Sequence, residues 1–240
     1  MDGIVASHSG LHSEIDMLHV VASRFAAADP LDEVLRQVVT LVAGVVKCDS
    51  CFVYALEGDV LVLRASLKPH PEVVGRLRLR MGEGITGWVA EHIRPVAVAE
   101  NAFQDARFLR FNELPEDRYE AFLSVPVLCR GRLVGVINVQ HRARHVHSAR
   151  DIRLISTLGF LVGAEIELAR LESESSRLSE KLEFRKTLDR AKGILQRELG
   201  VSEEEAYLTL QRQSRQRRKP MKEVAEAIVL SEEVKRKPKR

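Results

Sequence analysis

Between Phe184 and Val229 apolar side chains recur in three helical stripes, cut by one glycine and one proline, and this run limits the C-terminal part of the chain to a small helical unit. Phe184, Leu188, Ala191, Leu195 and Leu199 follow one another at steps of four and three, which puts them on one face of a first helix. Gly200 ends it. Ser202 with Glu205 three residues later is a capping box, so a second helix starts there, with Ala206, Tyr207 and Leu210 as inner positions. Pro220 opens a third helix in which Met221, Val224, Ala225, Ile228 and Val229 form a full face. About fifty residues make a core too small to be comfortable alone, which favours support from a neighbouring segment or a second copy.

Charge is concentrated in the same region. Residues 181–240 carry a formal net charge of +7 and the remainder −4, the asymmetry expected when one part of a protein meets a polyanion and the rest does not. Arg212, Arg215, Arg217, Arg218 and Lys219 crowd the end of the second helix and the turn after it. The third helix, with Glu223, Glu226, Glu232 and Glu233, would repel the major groove of a duplex. A helix-turn-helix DNA binder remains the rival reading of three short helices with a basic one.

Upstream the periodicity changes. Apolar residues from Ile15 to Lys47 keep helical spacing with a break at Asp29-Pro30, so two helices open the chain. Ser50 to Leu56 and Val60 to Leu67 read as a hairpin around Gly58, and Ala121 to Leu128 with Arg132 to Gln140 as a second around Arg130-Gly131. Arg76 to Arg80 alternates as an edge strand or extended segment, Met81 to Gly84 turns into a short helix around Gly87 to Ala90, Pro95 to Ala99 is extended, and 100–120 is a long loop with a helical turn. Ser148 caps a helix whose stripe is Ile152, Ile155, Leu158, Val162 and Ile166. The fold class is α+β: an antiparallel sheet with helices on one face and irregular segments on the other, a helical connector, then the three-helix unit. Phe52, Tyr54, Trp88, Phe108 and Phe122 are the residues that would enclose a small planar ligand between sheet and covering loops; aromatic packing without a ligand is the alternative.

The connector continues through Glu167-Leu168 to Glu180 without proline or glycine until Gly193. Leu168, Leu171, Leu178 and Leu182 hold a/d spacing, interrupted by Ser175, which fits a short parallel coiled coil between two copies; a plain exposed linker helix is the alternative. The longest nearly uncharged apolar stretch, Leu154 to Ala164, is too short for the roughly 20 residues of a bilayer span. The N-terminus lacks the features of a secretory signal, so a cytoplasmic protein is expected.

Three cysteines, Cys48, Cys51 and Cys129, argue against a disulfide framework. Cys48 and Cys51 have zinc-knuckle or redox spacing, but no second pair follows at comparable spacing, and His141, His145 and His147 cluster in what reads as a polar turn. No metal site and no catalytic residue is expected, and the cysteines read as buried thiols. Gly82-x-Gly84-x-x-Gly87 lacks the βαβ context of a dinucleotide fingerprint.

Two resemblances sharpen these expectations. Residues 15–170 resemble a GAF domain through Gly82-Glu83-Gly84-Ile85-Thr86-Gly87-Trp88-Val89-Ala90, Pro95-Val96, Ser124-Val125-Pro126-Val127 and Leu133 to Val139. That resemblance implies a sensor of small molecules. It leaves the cofactor unknown, since the asparagine-lysine pattern of cyclic-nucleotide binders is missing. A few GAF domains reduce free methionine sulfoxide with pocket cysteines, which is the enzyme alternative; a basic helical partner domain would serve no purpose there, and the chain reads as a non-enzyme. Residues 180–234 resemble the ANTAR domain through Arg190-Ala191-Lys192-Gly193-Ile194-Leu195, Gly200, the acidic run, Ala206-Tyr207, Leu210 and Val224-Ala225, with Arg215 and Gln211-Arg212 departing from the pattern. This second resemblance implies binding to paired stem-loops in nascent messenger RNA, preventing a terminator from forming. It places Arg190, Lys192, Gly193 and Gln196 near the loop and Arg212, Arg215, Arg217, Arg218 and Lys219 at phosphates and bases. The organisation expected is a GAF domain at 15–170, a connector at 165–190, an ANTAR domain at 180–234 and a basic disordered tail at 235–240, working as a homodimer.

Overall fold

In the computed structural model the described residues are 19–20, 22–23, 30–67, 73–108 and 119–236. The expected first helix falls largely outside them, and so do Phe111 and residues 237–240. The chain divides into two compact units, residues 1–170 and 171–240.

In the first unit α1 (Leu31–Val46) begins after Pro30, which stands at the N-cap. Its Val34, Leu35, Val38, Val39, Val42 and Val46 share one buried face. Two hairpins follow the expected boundaries closely: β1 (Ser50–Glu57) with β2 (Val60–Ser66), and β5 (Ala121–Cys129) with β6 (Arg132–His141). The short strands β3 (Arg78–Arg80) and β4 (Val96–Val98) pair outside them, giving a six-stranded antiparallel sheet in the order β3-β2-β1-β6-β5-β4. Arg78 and Arg80 point outward at one edge while Leu79 is buried, the alternation of an edge strand. The last helix of the unit enters from Ser148, whose amide and hydroxyl donate to Asp151 Oδ2 while its hydroxyl accepts the Asp151 amide. It belongs to α3, which runs unbroken from Ala149 to Leu199.

The sheet is covered on both faces, which is why β1 reads as a continuous apolar run. On one face Cys51, Val53, Val125, Val127, Ile137 and Val139 pack under α1 and the first turns of α3, including Ile155, Leu158 and Val162. Gly163 marks the close approach of α3 to the sheet: a methyl there would lie 2.5 Å from the Leu128 carbonyl oxygen. On the other face Phe52, Tyr54, Leu61, Leu63, Phe122 and Val136 meet α2 (Gly84–His92). One polar thread crosses this second layer. Ser124 Oγ donates to Asn138 Oδ1 and Asn138 Nδ2 donates to Thr86 Oγ1, both at 2.8 Å and buried, tying β5 and β6 to α2.

The second unit holds the end of α3, then α4 (Glu203–Arg217) and α5 (Met221–Arg236). Gly200 stops α3 with φ +66° and its amide donates to the Gln196 carbonyl at 3.0 Å. The capping box at Ser202 and Glu205 is formed on both sides. The core is Ala191, Leu195, Ala206, Leu210, Val224 and Ala225, supported by Leu188, Val201, Ile228 and Val229. Four expected core positions lie outside this cluster, Phe184 and Met221 half-buried and two others exposed. Tyr207 is 40% exposed and Leu199 is 57% exposed. The reason is geometric: only Ala206 and Leu210, one turn apart, face inward on α4, and Tyr207 stands about 100° around the helix from Ala206. Leu199, next to the terminating glycine, lies past the last turn that the core covers. α5 continues through Arg236, and Lys235 within it donates to Glu198 at 2.7 Å, so the helix takes up the first two residues expected to open the tail.

Candidate nucleic-acid interface

The nine residues picked from the sequence lie on the second unit, and the seven charged ones fall into two electrostatic groups. The first group is neutralised by carboxylates. Arg190 pairs with Glu233 at 2.8 Å, Lys192 with Asp189 at 2.8 Å and with Glu203 at 2.6 Å, and Lys219 with Glu223 at 2.7 Å. Hydrogen bonds that Lys192 donates to Asp189 and Glu203 raise its ammonium above its ordinary range, and the bond to Glu223 does the same for Lys219. Exposed pairs of this kind are weak and exchange readily with another anion.

The second group is Arg212, Arg215, Arg217 and Arg218. Among the described residues no carboxylate lies within ion-pair distance of any of them; Arg217 Nε donates to the neutral Gln213 at 3.2 Å. Four uncompensated guanidinium groups therefore stand on the last turns of α4 and the corner after it. Arginine in the last turn of a helix is also favoured by the backbone dipole, which explains the local placement without a ligand. The corner itself is built by Ser214. Its hydroxyl donates to the Lys219 carbonyl at 2.6 Å, its carbonyl accepts the Lys219 amide at 3.0 Å, and Arg218 turns through the left-handed region at φ +52°. Arg212 and Arg215 line a shallow groove with Leu208, Gln211 and Gln216. Those last three were not among the residues picked from the sequence; Leu208 is exposed one turn before Arg212 on the same helix.

Gly193 and Gln196 sit on α3 beside Lys192. A methyl group added at Gly193 would meet only the Arg197 guanidinium, at 3.9 Å. Packing does not require glycine at this point of a helix, where it costs roughly 0.8–1 kcal/mol relative to alanine.

In the first unit the aromatics Phe52, Tyr54 and Phe122 are buried in one layer with Trp88 and Phe108 packed partly against it. Trp88 carries His92 stacked at 4.0 Å and the Arg107 guanidinium 4.8 Å over its ring. The cysteines belong to the opposite layer: Cys51 is fully buried under the helices, and Cys48 and Cys129 pack at its margin. Burial pushes the Cys48 thiol up to about 11 and raises that of Cys51 as well, the reverse of what a nucleophilic thiol needs.

The comparison with known families agrees with this division. The model of the GAF domain matches residues 30–166 and that of the ANTAR domain residues 176–229. The chain belongs to the GAF family and carries a C-terminal ANTAR domain. The GAF domain superposes on that of a phosphoenolpyruvate-protein phosphotransferase from Coxiella burnetii with a TM-score of 0.63 and 27% identity, covering 68% of this chain and 98% of that one. A transcriptional regulatory protein, PdtaR of Mycobacterium tuberculosis, is 42% identical over 76 residues, 32% of this chain and 37% of that protein. The Nif-specific regulatory protein of Azospirillum brasilense is 27% identical over 179 residues, 72% of this chain and 28% of that protein. The chain thus spans about a third of the length of the curated relatives it matches. Among the described residues no helix of this GAF–ANTAR protein is long and apolar enough to cross a membrane.

Proposed function

We propose that this chain is a transcription antitermination regulator whose ANTAR domain grips paired stem-loops in nascent RNA and whose GAF domain governs that grip. The observation that carries the reading is the set of four guanidinium groups at the α4–α5 corner that have no carboxylate partner among the described residues, inside a domain where Arg190, Lys192 and Lys219 are held by carboxylates. Arginine forks to phosphates, stacks on unpaired bases and bonds their edges, which is the chemistry of RNA loop recognition. The face of α4 that carries Arg212 and Arg215 also presents Leu208, Gln211 and Gln216, an apolar side chain and two amides on which an unpaired base could rest. Arg190, Lys192, Gly193 and Gln196 on α3 form the second contact, the lysine and arginine exchanging their carboxylates for phosphate. Kinship with transcriptional regulators supports the same reading.

The acidic side chains of α5 speak against the helix-turn-helix alternative, since Glu223 and Glu233 lie within the array that would face DNA. The placement of all three cysteines toward the helical layer speaks against the reductase alternative, which needs thiols in the pocket. Leu168, Leu171, Leu178 and Leu182, all about half exposed or more, supply the seam through which two copies pair.

The test is binding of purified protein to tandem-hairpin transcripts across a salt series. Replacing Arg217 and Arg218 with alanine weakens binding and reduces the slope of log affinity against log salt by about 2, with the helical content unchanged. Unchanged affinity and slope remove the site assignment; preference for duplex promoter DNA over hairpins removes the function.

A further inference from the structure

His141 closes β6, His145 lies in the loop after it, and His147 stands one residue ahead of the Ser148 cap that starts α3. In place of a solvated turn the chain gathers the three rings. His141 and His145 stack at 3.8 Å with their planes 8° apart, and His147 packs against them at 5.1 Å and 4.7 Å. One ring nitrogen from each lies within 4.8 Å of the other two. His141 and His147 are only 5% and 8% exposed, yet Nε2 of His141 and both ring nitrogens of His147 have no hydrogen-bond partner. Buried polar atoms in native proteins are nearly always satisfied, so open nitrogens on two buried rings that, with His145, bring one ligand atom each within 4.8 Å of the others call for an occupant.

The charge around them is of the right sign. Asp49 and Asp151 act on the rings from the start of β1 and the first turn of α3, each anchored by a backbone amide, that of Arg142 and that of Ser148. Arg142 and Arg144 are the opposing cations of the loop, and Arg144 is taken up by Glu100 at 2.9 Å. Burial, with the neighbouring rings, holds His141 below its ordinary range and His147 down to about 4.

We propose that His141, His145 and His147 form a three-imidazole site for a divalent first-row transition ion, zinc foremost, at the root of α3. Imidazole suits zinc, copper, nickel and iron, and three protein nitrogens leave a fourth position for water or a further ligand on the side of the partly exposed His145. Nitrogens bound to one tetrahedral zinc stand roughly 3.3 Å apart, so the rings close up by about an ångström or so and the His141–His145 stack opens. The His145 amide donates to the Ala99 carbonyl at 2.9 Å. The ion would therefore fasten the exits of β4 and β6 and the first turn of α3 to a single point.

The full-length protein is stripped with chelator and titrated with Zn2+ by calorimetry, with metal content measured after gel filtration and Co2+ used as a visible-absorption probe. One equivalent binds per chain and Co2+ gives tetrahedral bands. His145→Ala, on a partly exposed loop position that leaves the core untouched, weakens Zn2+ binding tenfold or more and abolishes the bands, whereas Cys48→Ser leaves both unchanged. Binding that never saturates overturns the site. Affinity and spectrum unaltered in His145→Ala, or lost in Cys48→Ser alone, overturn it equally. None of these readouts involves RNA, so the outcome is independent of the function proposed for the ANTAR domain.

Discussion

Gly193 separates binding from folding at the level of one residue. Alanine fits there without displacing anything and removes a helix-breaking residue from the middle of α3. Gly193→Ala is expected to raise stability by about 0.8–1 kcal/mol, read as an upward shift of the melting temperature. If the RNA backbone or a base edge comes close to this turn, the same substitution weakens hairpin binding. A variant that is both more stable and equally tight in binding would take Gly193 out of the interface. The histidines show the opposite lesson about reading single residues. In sequence they sit among Arg142, Arg144 and Ser148 and look solvated. What buries His141 is register, because it pairs with Ala121 at the end of β6, and what buries His147 is the return of the chain to start α3. Neither follows from local composition.

At the level of elements, the parts legible in the sequence are those decided by neighbours in the chain. Both hairpins, the edge strand at Leu79, the caps at Ser148 and Ser202, and the stop at Gly200 need only alternation, a turn residue or a side-chain oxygen three positions from its amide. The parts not legible depend on how far one element covers another. Tyr207 has the right spacing for the α4 core, but a face built on Ala206 and Leu210 is too narrow to take it. The carboxylate partners of Arg190 and Lys192, drawn from α5 and α4, required the packed unit as well. Gly163 carries the strongest prediction at this scale. Gly163→Ala puts a methyl 2.5 Å from the Leu128 carbonyl oxygen, and neither backbone can yield without lifting α3 off the sheet. A loss of about 1–3 kcal/mol in chemical denaturation is expected, carried by the first unit and not by the melting of residues 171–240. A neutral result would mean that α3 does not pack on β5 in solution.

For the whole molecule, the proposed regulation depends on pairing of copies along α3. Asparagine or aspartate in place of Leu171 and Leu178, both about half exposed, is expected to convert a dimer to a monomer in sedimentation and to weaken tandem-hairpin binding far more than binding of a single hairpin. Equal loss for one hairpin and for two would argue that the leucine seam serves the fold of one copy.

Residues 171–183 of α3 are exposed without a break, so no apolar core covers this stretch of helix. Helical segments shorter than about 12–15 residues are marginal in water when unsupported. A protease that cuts after glutamate would find Glu172, Glu174, Glu180 and Glu183 in that span, and dilution should open them while crowding of like chains should shut them. Under the pairing proposed above, the concentration of the protein sets how far this stretch of helix is held.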